Sequence, residues 1–158
     1  MLKNFSVFRA CKKYKNYLVT NKISKDEYLN VVCGIVRINR SVIVCQRKKY
    51  PFNGIWEFPG GKMEEGETKR DCLKRELFEE LNIKIRIEKL FLDFKYHYPH
   101  LKVRLTCFLC RYVSGKIRLT EHQNFLCVKP EQILKLRFLD GNKKILNKLR
   151  NQKYIFNK

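Results

Sequence analysis

The chain has 158 residues, and its 35 Lys and Arg outnumber its 15 Asp and Glu to give a formal net charge of +20. This length predicts one domain that buries ~70% of its unfolded surface, and a hydrophobic content of 44% excludes a disordered chain. No apolar stretch approaches the ~18 residues of a membrane span, and the N-terminal segment lacks the apolar core of a secretory signal, so we expect neither.

The predicted elements follow a basic N-terminal extension at residues 1–28. Alternating apolar patterns and turn residues predict strands at 30–38, 42–46, 55–58, 84–97, 102–113 and 124–128. Helices are predicted at 69–81, with Thr68 as N-cap and Asp71 three positions later, and at 141–151. We therefore expect one α/β domain at residues 29–153, with helices packed on a mixed sheet, and a tail at 154–158.

The seven cysteines do not form a recognisable metal or disulfide pattern. Only Cys107 and Cys110 are close together, and they lie in a predicted strand. Residues three apart on a strand point to opposite faces, so these two thiols are not expected to share a zinc ion. We expect buried free thiols and a cytoplasmic protein.

The acidic residues are concentrated in one short part of the chain. Eight of the fifteen fall between Glu57 and Glu80. Glu76, Glu79 and Glu80 have the i, i+3, i+4 spacing that places them on one side of a helix, where like charges repel unless a cation lies between them. Since Mg²⁺ prefers carboxylate oxygen, the pattern indicates either a magnesium site or a solvated acidic face.

The segment at 61–83 resembles the Nudix box, a pattern of Gly, five residues, Glu, seven residues, Arg-Glu-apolar-x-Glu-Glu, one residue, Gly and an apolar residue. The matching positions are Gly61, Glu67, Arg75, Glu76, Leu77, Glu79, Glu80 and Ile83. One position departs, because Asn82 replaces the last glycine, and Asn tolerates the left-handed conformation of a helix C-cap. With WEFPGGK before the box and the triplet EHQ at 121–123, the chain is similar to the MutT-type subgroup of the Nudix family.

This resemblance implies an α/β/α sandwich around a mixed sheet and a Mg²⁺-dependent pyrophosphohydrolase, with Mn²⁺ as a substitute. The implied metal ligands are the Gly60 carbonyl, Glu76, Glu79, Glu80 and Glu121. The implied catalytic residues are Glu76, Glu79 and Glu121, and either Glu76 or Glu121 takes the proton from water. The metal ions held by these carboxylates would neutralise the negative charge of the triphosphate and activate the attacking water.

Other matching residues are implied to shape the loop and the substrate pocket. Glu67 and Arg75 are expected to form a structural pair, and Gly61 is expected to allow a close backbone approach. The implied substrate-binding residues are Arg47, Phe58 and Asn142. An amide donates and accepts at once, which suits 8-oxoguanine.

The resemblance leaves the substrate open among three alternatives. The subgroup contains 8-oxo-dGTP diphosphatases, which prevent mutagenic incorporation, and pyrophosphohydrolases of CTP or modified cytidine nucleotides, and a broad dNTP substrate range is also possible. An Asp-Arg pair expected after Pro99 is His100-Leu101 here, which weakens the assignment of the base.

The alternative from another class is a nucleic-acid-binding protein on a Nudix scaffold. The +20 charge favours it, but the bases are not gathered into one run with interleaved aromatics, and every acidic ligand is present. We therefore expect a monomeric enzyme with a nucleoside triphosphate substrate, without a membrane partner and without stable nucleic-acid binding.

Overall fold

The computed structural model describes residues 27–50, 52–99 and 101–152, so nearly all of the predicted N-terminal extension and all of the tail lie outside the described residues. The strands are β1 (Leu29–Ile38), β2 (Ser41–Arg47), β3 (Trp56–Glu57), β4 (Gly60–Lys62), β5 (Lys84–Tyr98), β6 (Leu101–Ser114) and β7 (His122–Val128). The helices are α1 (Lys69–Leu81), α2 (Pro130–Ile133) and α3 (Lys143–Arg150), and a 3₁₀ turn, Asp140–Asn142, precedes α3.

Strand β1 lies at the centre of a mixed sheet formed by the described strands. The order is β3-β2-β1-β6-β5, with β4 also paired to β1 and β7 to β2. The β1–β6 pair is parallel, and the other pairs are antiparallel. The predicted mixed sheet is confirmed.

Helix α1 has the boundaries that its sequence predicts. The Thr68 hydroxyl oxygen accepts a hydrogen bond from the backbone N–H of Asp71 at 3.2 Å, so Thr68 is the N-cap. At the other end Asn82 adopts the left-handed conformation with φ 55°, and its N–H donates to the carbonyls of Leu77 and Phe78. The replacement of the family glycine by Asn82 is therefore compatible with the cap.

The sheet separates two apolar layers. On one face, Leu73, Leu77 and Leu81 of α1 pack against strand residues that include Val32 and Val36. On the other face, buried residues of α3 pack against the remaining alternate positions; the layer includes Cys33, Ile35, Phe58, Ile145, Leu146 and Leu149. Cys107 and Cys110 fall in different layers, as their spacing predicts. The expected α/β/α sandwich is confirmed.

Several local features differ from the prediction, including the short helix α2 (Pro130–Ile133), which was not predicted. Residues 60–62 form a strand rather than a loop, because pairing with β1 overrides the low strand propensity of two glycines. The C-terminal α-helix begins at Lys143, after the 3₁₀ turn, and β7 begins at His122. In the described part of the chain, no helix is long and apolar enough to cross a membrane.

Candidate active site

The carboxylates of α1 face the glycine strand β4. The approach is close, because a Cβ atom added to Gly61 would lie 2.2 Å from the carboxyl carbon of Glu76. Gly60 has φ +147°, and a Cβ atom there would lie 2.2 Å from the carbonyl oxygen of Val32 on β1. Only glycine fits at these two positions without displacing a neighbour.

Arg75 joins the loop before α1 to the acidic face of the helix. Its Nη2 donates to Glu67 Oε1 at 2.7 Å, and its Nε donates to Glu67 Oε2 at 3.1 Å. Its Nη1 contacts Glu76 Oε1 at 2.9 Å and Glu79 Oε2 at 3.2 Å. The hydrogen bonds from Arg75 lower the pKa of Glu67 to about 2. The geometry therefore contains the expected Glu67–Arg75 pair and extends it to two of the helix carboxylates.

Glu80 is the most strongly perturbed of the α1 carboxylates. Its side chain is 15% exposed, and its Oε2 is buried with no hydrogen-bond partner among the described residues. Burial, opposed by His122 and reinforced by Glu76 and Glu57, raises the pKa of Glu80 to about 7. Burial also raises the pKa of Glu76, despite the neighbouring Arg75 guanidinium.

Glu121 lies at the start of β7, away from the Arg75 cluster. Its carboxylate forms an ion pair with Lys49, and this hydrogen bond lowers its pKa. The side chain is 51% exposed. Glu121 and Glu80 nevertheless line the same small cavity of about 70 Å³, together with Arg47, Lys48, Lys49, Glu57 and His122.

The donor set fits a hard divalent cation. In the residues that the structure describes, no three His, Cys, Asp or Glu side chains are arranged to hold a metal ion. Arg75 forms ion pairs with Glu76 and Glu79, and Lys49 forms one with Glu121. However, a buried carboxylate oxygen without a donor, as on Glu80, is stabilised by a cation, and the other side chains that the sequence nominates also offer carboxylate oxygens. The residues therefore fit Mg²⁺ once these ion pairs rearrange.

A larger, mainly apolar cavity of about 140 Å³ lies beside the carboxylates. Phe58 and Asn142 both line it, as does Arg47. Phe58 is buried and its ring lies 5.3 Å from that of Phe138. The Asn142 side-chain oxygen accepts a hydrogen bond from the Phe58 N–H at 3.0 Å. The three predicted substrate residues are thus brought together around one cavity.

Tyr96 and Tyr98 also line this cavity, and sequence reasoning did not single them out. Their rings are in edge contact at 4.7 Å, and the Tyr98 hydroxyl accepts a hydrogen bond from the Gly141 N–H at 3.2 Å. Leu101 of the substituted His100-Leu101 pair lines the cavity too, while His100 lies outside the described residues. The only sequence signal for this arrangement is their spacing of two residues in a predicted strand, which places both side chains on the same face of the sheet.

Arg47 and Glu57 line both cavities, and His122, which lines the smaller one, contacts Glu57. Arg47 Nη1 donates to both carboxylate oxygens of Glu57, at 2.9 and 2.7 Å. His122 Nε2 lies 3.0 Å from Glu57 Oε1. The strand register brings them together, since Arg47 pairs with His122 across β2–β7 and Glu57 pairs with Cys45 across β2–β3. Glu57 belongs to the WEFPGGK segment and His122 to the EHQ triplet, and neither motif predicts a role for these two side chains.

The sequence of the chain matches the NUDIX domain model over residues 28–149. The chain belongs to the NUDIX domain family. The predicted Nudix resemblance, and with it the assignment as a hydrolase, is confirmed. Every predicted site residue lies inside the matched range.

Among known Nudix proteins, the chain is similar to an 8-oxo-dGTP diphosphatase of Buchnera aphidicola subsp. Schizaphis graminum. The two are 36% identical over 131 residues, which cover 82% of this chain and 98% of the relative. A CTP pyrophosphohydrolase of Escherichia coli K12 is 29% identical over 67% of this chain and 79% of its own length. A solved MutT structure, from Aliivibrio salmonicida or Vibrio cholerae, superposes with a TM-score of 0.65 at 25% identity, covering 80% of this chain and 99% of its own.

Proposed function

We propose that this Nudix hydrolase converts 8-oxo-dGTP and water into 8-oxo-dGMP and pyrophosphate, which removes a mutagenic DNA precursor. The observation that carries the proposal is the joining of an apolar cavity, which contains a fixed amide, to a carboxylate cluster through shared Arg47 and Glu57. A flat base fits the first cavity, and a phosphate chain would extend from it into the second. The similarity to the Buchnera diphosphatase supports this substrate.

A bound Mg²⁺, or Mn²⁺ in its place, would supply charge neutralisation for the phosphate oxygens and lower the pKa of the attacking water. The ligands are Glu76, Glu79, Glu80, Glu121 and the Gly60 carbonyl. Glu76 and Glu79 would be freed in part from Arg75 to hold the cation, while Arg75 would keep Glu67 through its paired hydrogen bonds. When substrate binds, Lys49 would donate to a phosphate oxygen instead of to the Glu121 carboxylate, because both groups are anionic acceptors.

Glu76 and Glu121 are the two candidate bases for the proton of the attacking water. Glu76 is shielded by Gly61 and Arg75, whereas Glu121 is half exposed beside Lys49. We expect the variant that lacks the base, E76Q or E121Q, to lose the pH dependence of kcat that belongs to that group. The other variant would retain it.

A cytidine triphosphate is the second candidate substrate. The Asn142 oxygen is already bonded to Phe58, which leaves the N–H donors of the amide for a ligand, and the cytosine O2 and N3 acceptors match these donors as the purine O6 does. The similarity to the Escherichia coli CTP pyrophosphohydrolase is consistent with this candidate. The monomeric state, the cytoplasmic location and the domain limits at 29–153 stay predictions.

The test is pyrophosphate release with Mg²⁺ from 8-oxo-dGTP, dGTP and CTP at equal low concentration. We expect a large excess of kcat/KM for 8-oxo-dGTP; better turnover of CTP would contradict the proposed substrate, and no turnover of any would contradict the enzymatic role. E79Q should lose most of the metal-dependent turnover and keep its fold. E65Q is the matched control, because Glu65 is an exposed glutamate of the preceding loop with no assigned role.

A further inference from the structure

His122 is a buried side chain that lies between two carboxylates. It is 4% exposed, with Nε2 3.0 Å from Glu57 Oε1 and Nδ1 4.0 Å from Glu80 Oε2. A carboxylate oxygen only accepts hydrogen bonds, so each contact is favourable only when the ring presents an N–H to it. The ring is therefore placed to orient both acids when each of its two nitrogens carries a hydrogen.

The contact with Glu80 is incomplete in this structure. His122 Nδ1 and Glu80 Oε2 are both buried, and neither has a hydrogen-bond partner among the described residues. Their separation of 4.0 Å exceeds a hydrogen bond by about 1 Å. Buried polar atoms that face each other unpaired are costly, and a small rotation of the Glu80 carboxylate would satisfy both.

The other side of the ring is firmly held. Glu57 accepts two bonds from Arg47 and lies on the short strand β3, which is fixed to β2. His122 itself is paired with Arg47 in the β2–β7 ladder. The ring thus has a rigid anchor on the Glu57 side and one free contact on the Glu80 side.

We propose that His122 is a positioning residue that holds the Glu80 carboxylate in place for the divalent cation. This inference rests on the proposed function, because it takes Glu80 as a metal ligand. The anchored ring donates from Nδ1 to one Glu80 oxygen and leaves the other oxygen for the cation. Loss of such an outer partner typically weakens metal binding ~10- to 100-fold, although the partner does not touch the metal.

Two substitutions separate the two contacts of the ring. The amide nitrogen of Asn lies near the position of His Nδ1, so H122N retains a donor toward Glu80. The amide nitrogen of Gln lies near the position of Nε2, so H122Q retains a donor toward Glu57 and loses the one toward Glu80. H97Q is the matched control, because His97 is exposed, bonds to Tyr28 and lines neither cavity described above.

The experiment measures Mn²⁺ binding to the full-length protein without nucleotide, by electron paramagnetic resonance of the free ion. We expect H122Q to bind Mn²⁺ about 10-fold more weakly than wild type, and H122N and H97Q to stay within about threefold. Thermal unfolding establishes that each variant is folded. If H122Q does not fold, a folded H122N that has lost Mn²⁺ affinity overturns the inference by itself.

Equal affinity in H122Q and wild type, or an equal loss in H122Q and H122N, would also overturn the positioning role, since a packing role would not distinguish the two amides. Either result leaves the proposed function intact when the wild type binds Mn²⁺ and turns over nucleotide. Absence of Mn²⁺ binding by the wild type instead refutes the metal site and the inference with it.

Discussion

The side-chain oxygen of Asn142 accepts a hydrogen bond from the backbone N–H of Phe58 at 3.0 Å, across 84 positions of the chain. Asn142 is buried at the start of α3, and Phe58 lies between the short strands β3 and β4. Because the oxygen is engaged, the two N–H donors remain for a ligand in the cavity that both residues line. The amide therefore offers two donors to an acceptor on the base, and its oxygen keeps a second lone pair.

N142D separates base recognition from this internal bond. Aspartate keeps an oxygen for the Phe58 N–H and removes both donors, so we expect a fall of about 10-fold or more in kcat/KM for 8-oxo-dGTP, and some loss of stability because a carboxylate is buried there. N142A removes the oxygen as well, so it should also lower the free energy of unfolding by ~1 kcal/mol. Steady-state kinetics and urea unfolding check both variants. Unchanged kcat/KM in N142D would contradict a role for Asn142 in base binding.

Gly141 and Tyr98 should show coupled effects. A Cβ atom at residue 141 would lie 2.5 Å from the Tyr98 hydroxyl oxygen, so G141A should destabilise the protein by ~1–3 kcal/mol and raise KM by displacing Asn142. Y98F removes the obstructing oxygen, at the loss of the bond from the Gly141 N–H. The free energy of unfolding of the G141A/Y98F double variant should therefore be ~1 kcal/mol higher than the sum of the two single effects predicts. Strict additivity would contradict the contact.

Alanine substitutions at the two glycines of β4 should affect different properties, stability at Gly60 and activity at Gly61. G60A places a Cβ atom 2.2 Å from a backbone oxygen at a positive φ, so we expect a loss of stability of roughly 2 kcal/mol or more. G61A meets the end of the Glu76 side chain, which can move, so the fold should survive while kcat/KM falls about 100-fold. Thermal unfolding and pyrophosphate release distinguish the two outcomes. A fully active G61A would exclude Glu76 from the reaction.

Metal affinity should rise with pH through neutrality. The pKa of Glu80 is raised from its ordinary value of 4.5 to about 7, and only its charged form binds a cation well. Competition with one proton of this pKa predicts about 10-fold tighter Mn²⁺ binding at pH 8 than at pH 6. E80Q should bind weakly at both pH values, whereas E65Q should follow the wild type. A pH-independent affinity in the wild type would contradict the shift.

The raised pKa of Glu80 affects the stability of the metal-free protein in the opposite direction, because this stability falls as the pH rises. The fold favours the neutral Glu80 carboxyl, so the stability from this group is fully present below pH 4.5 and is lost as the pH rises through about 7. E80Q should remove this part of the dependence, which denaturant unfolding at several pH values would measure without metal.

The parts of the site that depend on local sequence were predictable. Thr68, Asn82 and the spacing of Glu76, Glu79 and Glu80 specify α1 and its acidic face within 15 residues. The pairing of Glu67 with Arg75 also follows from one motif.

The contacts of His122 and Tyr98 were not predictable in this way. His122 reaches Glu57 only through the register of β7 on β2, and Tyr98 reaches Gly141 only because β5 ends beside the turn before α3. Such contacts depend on tertiary packing, which neither periodicity nor composition reports. The Lys49–Glu121 ion pair is of the same kind, since it links residues 72 positions apart.

The parallel pairing of β1 with β6 also influences the order in which the elements of the protein fold. Leu29 pairs with Val103 and the ladder runs on to Arg37 and Arg111, so this pairing closes a long loop and carries a large entropic cost. The glycine strand and α1 both pack on β1. We therefore expect the acidic helix to fold early by its own local contacts, and the site around it to be completed only in the rate-limiting, late stage of folding.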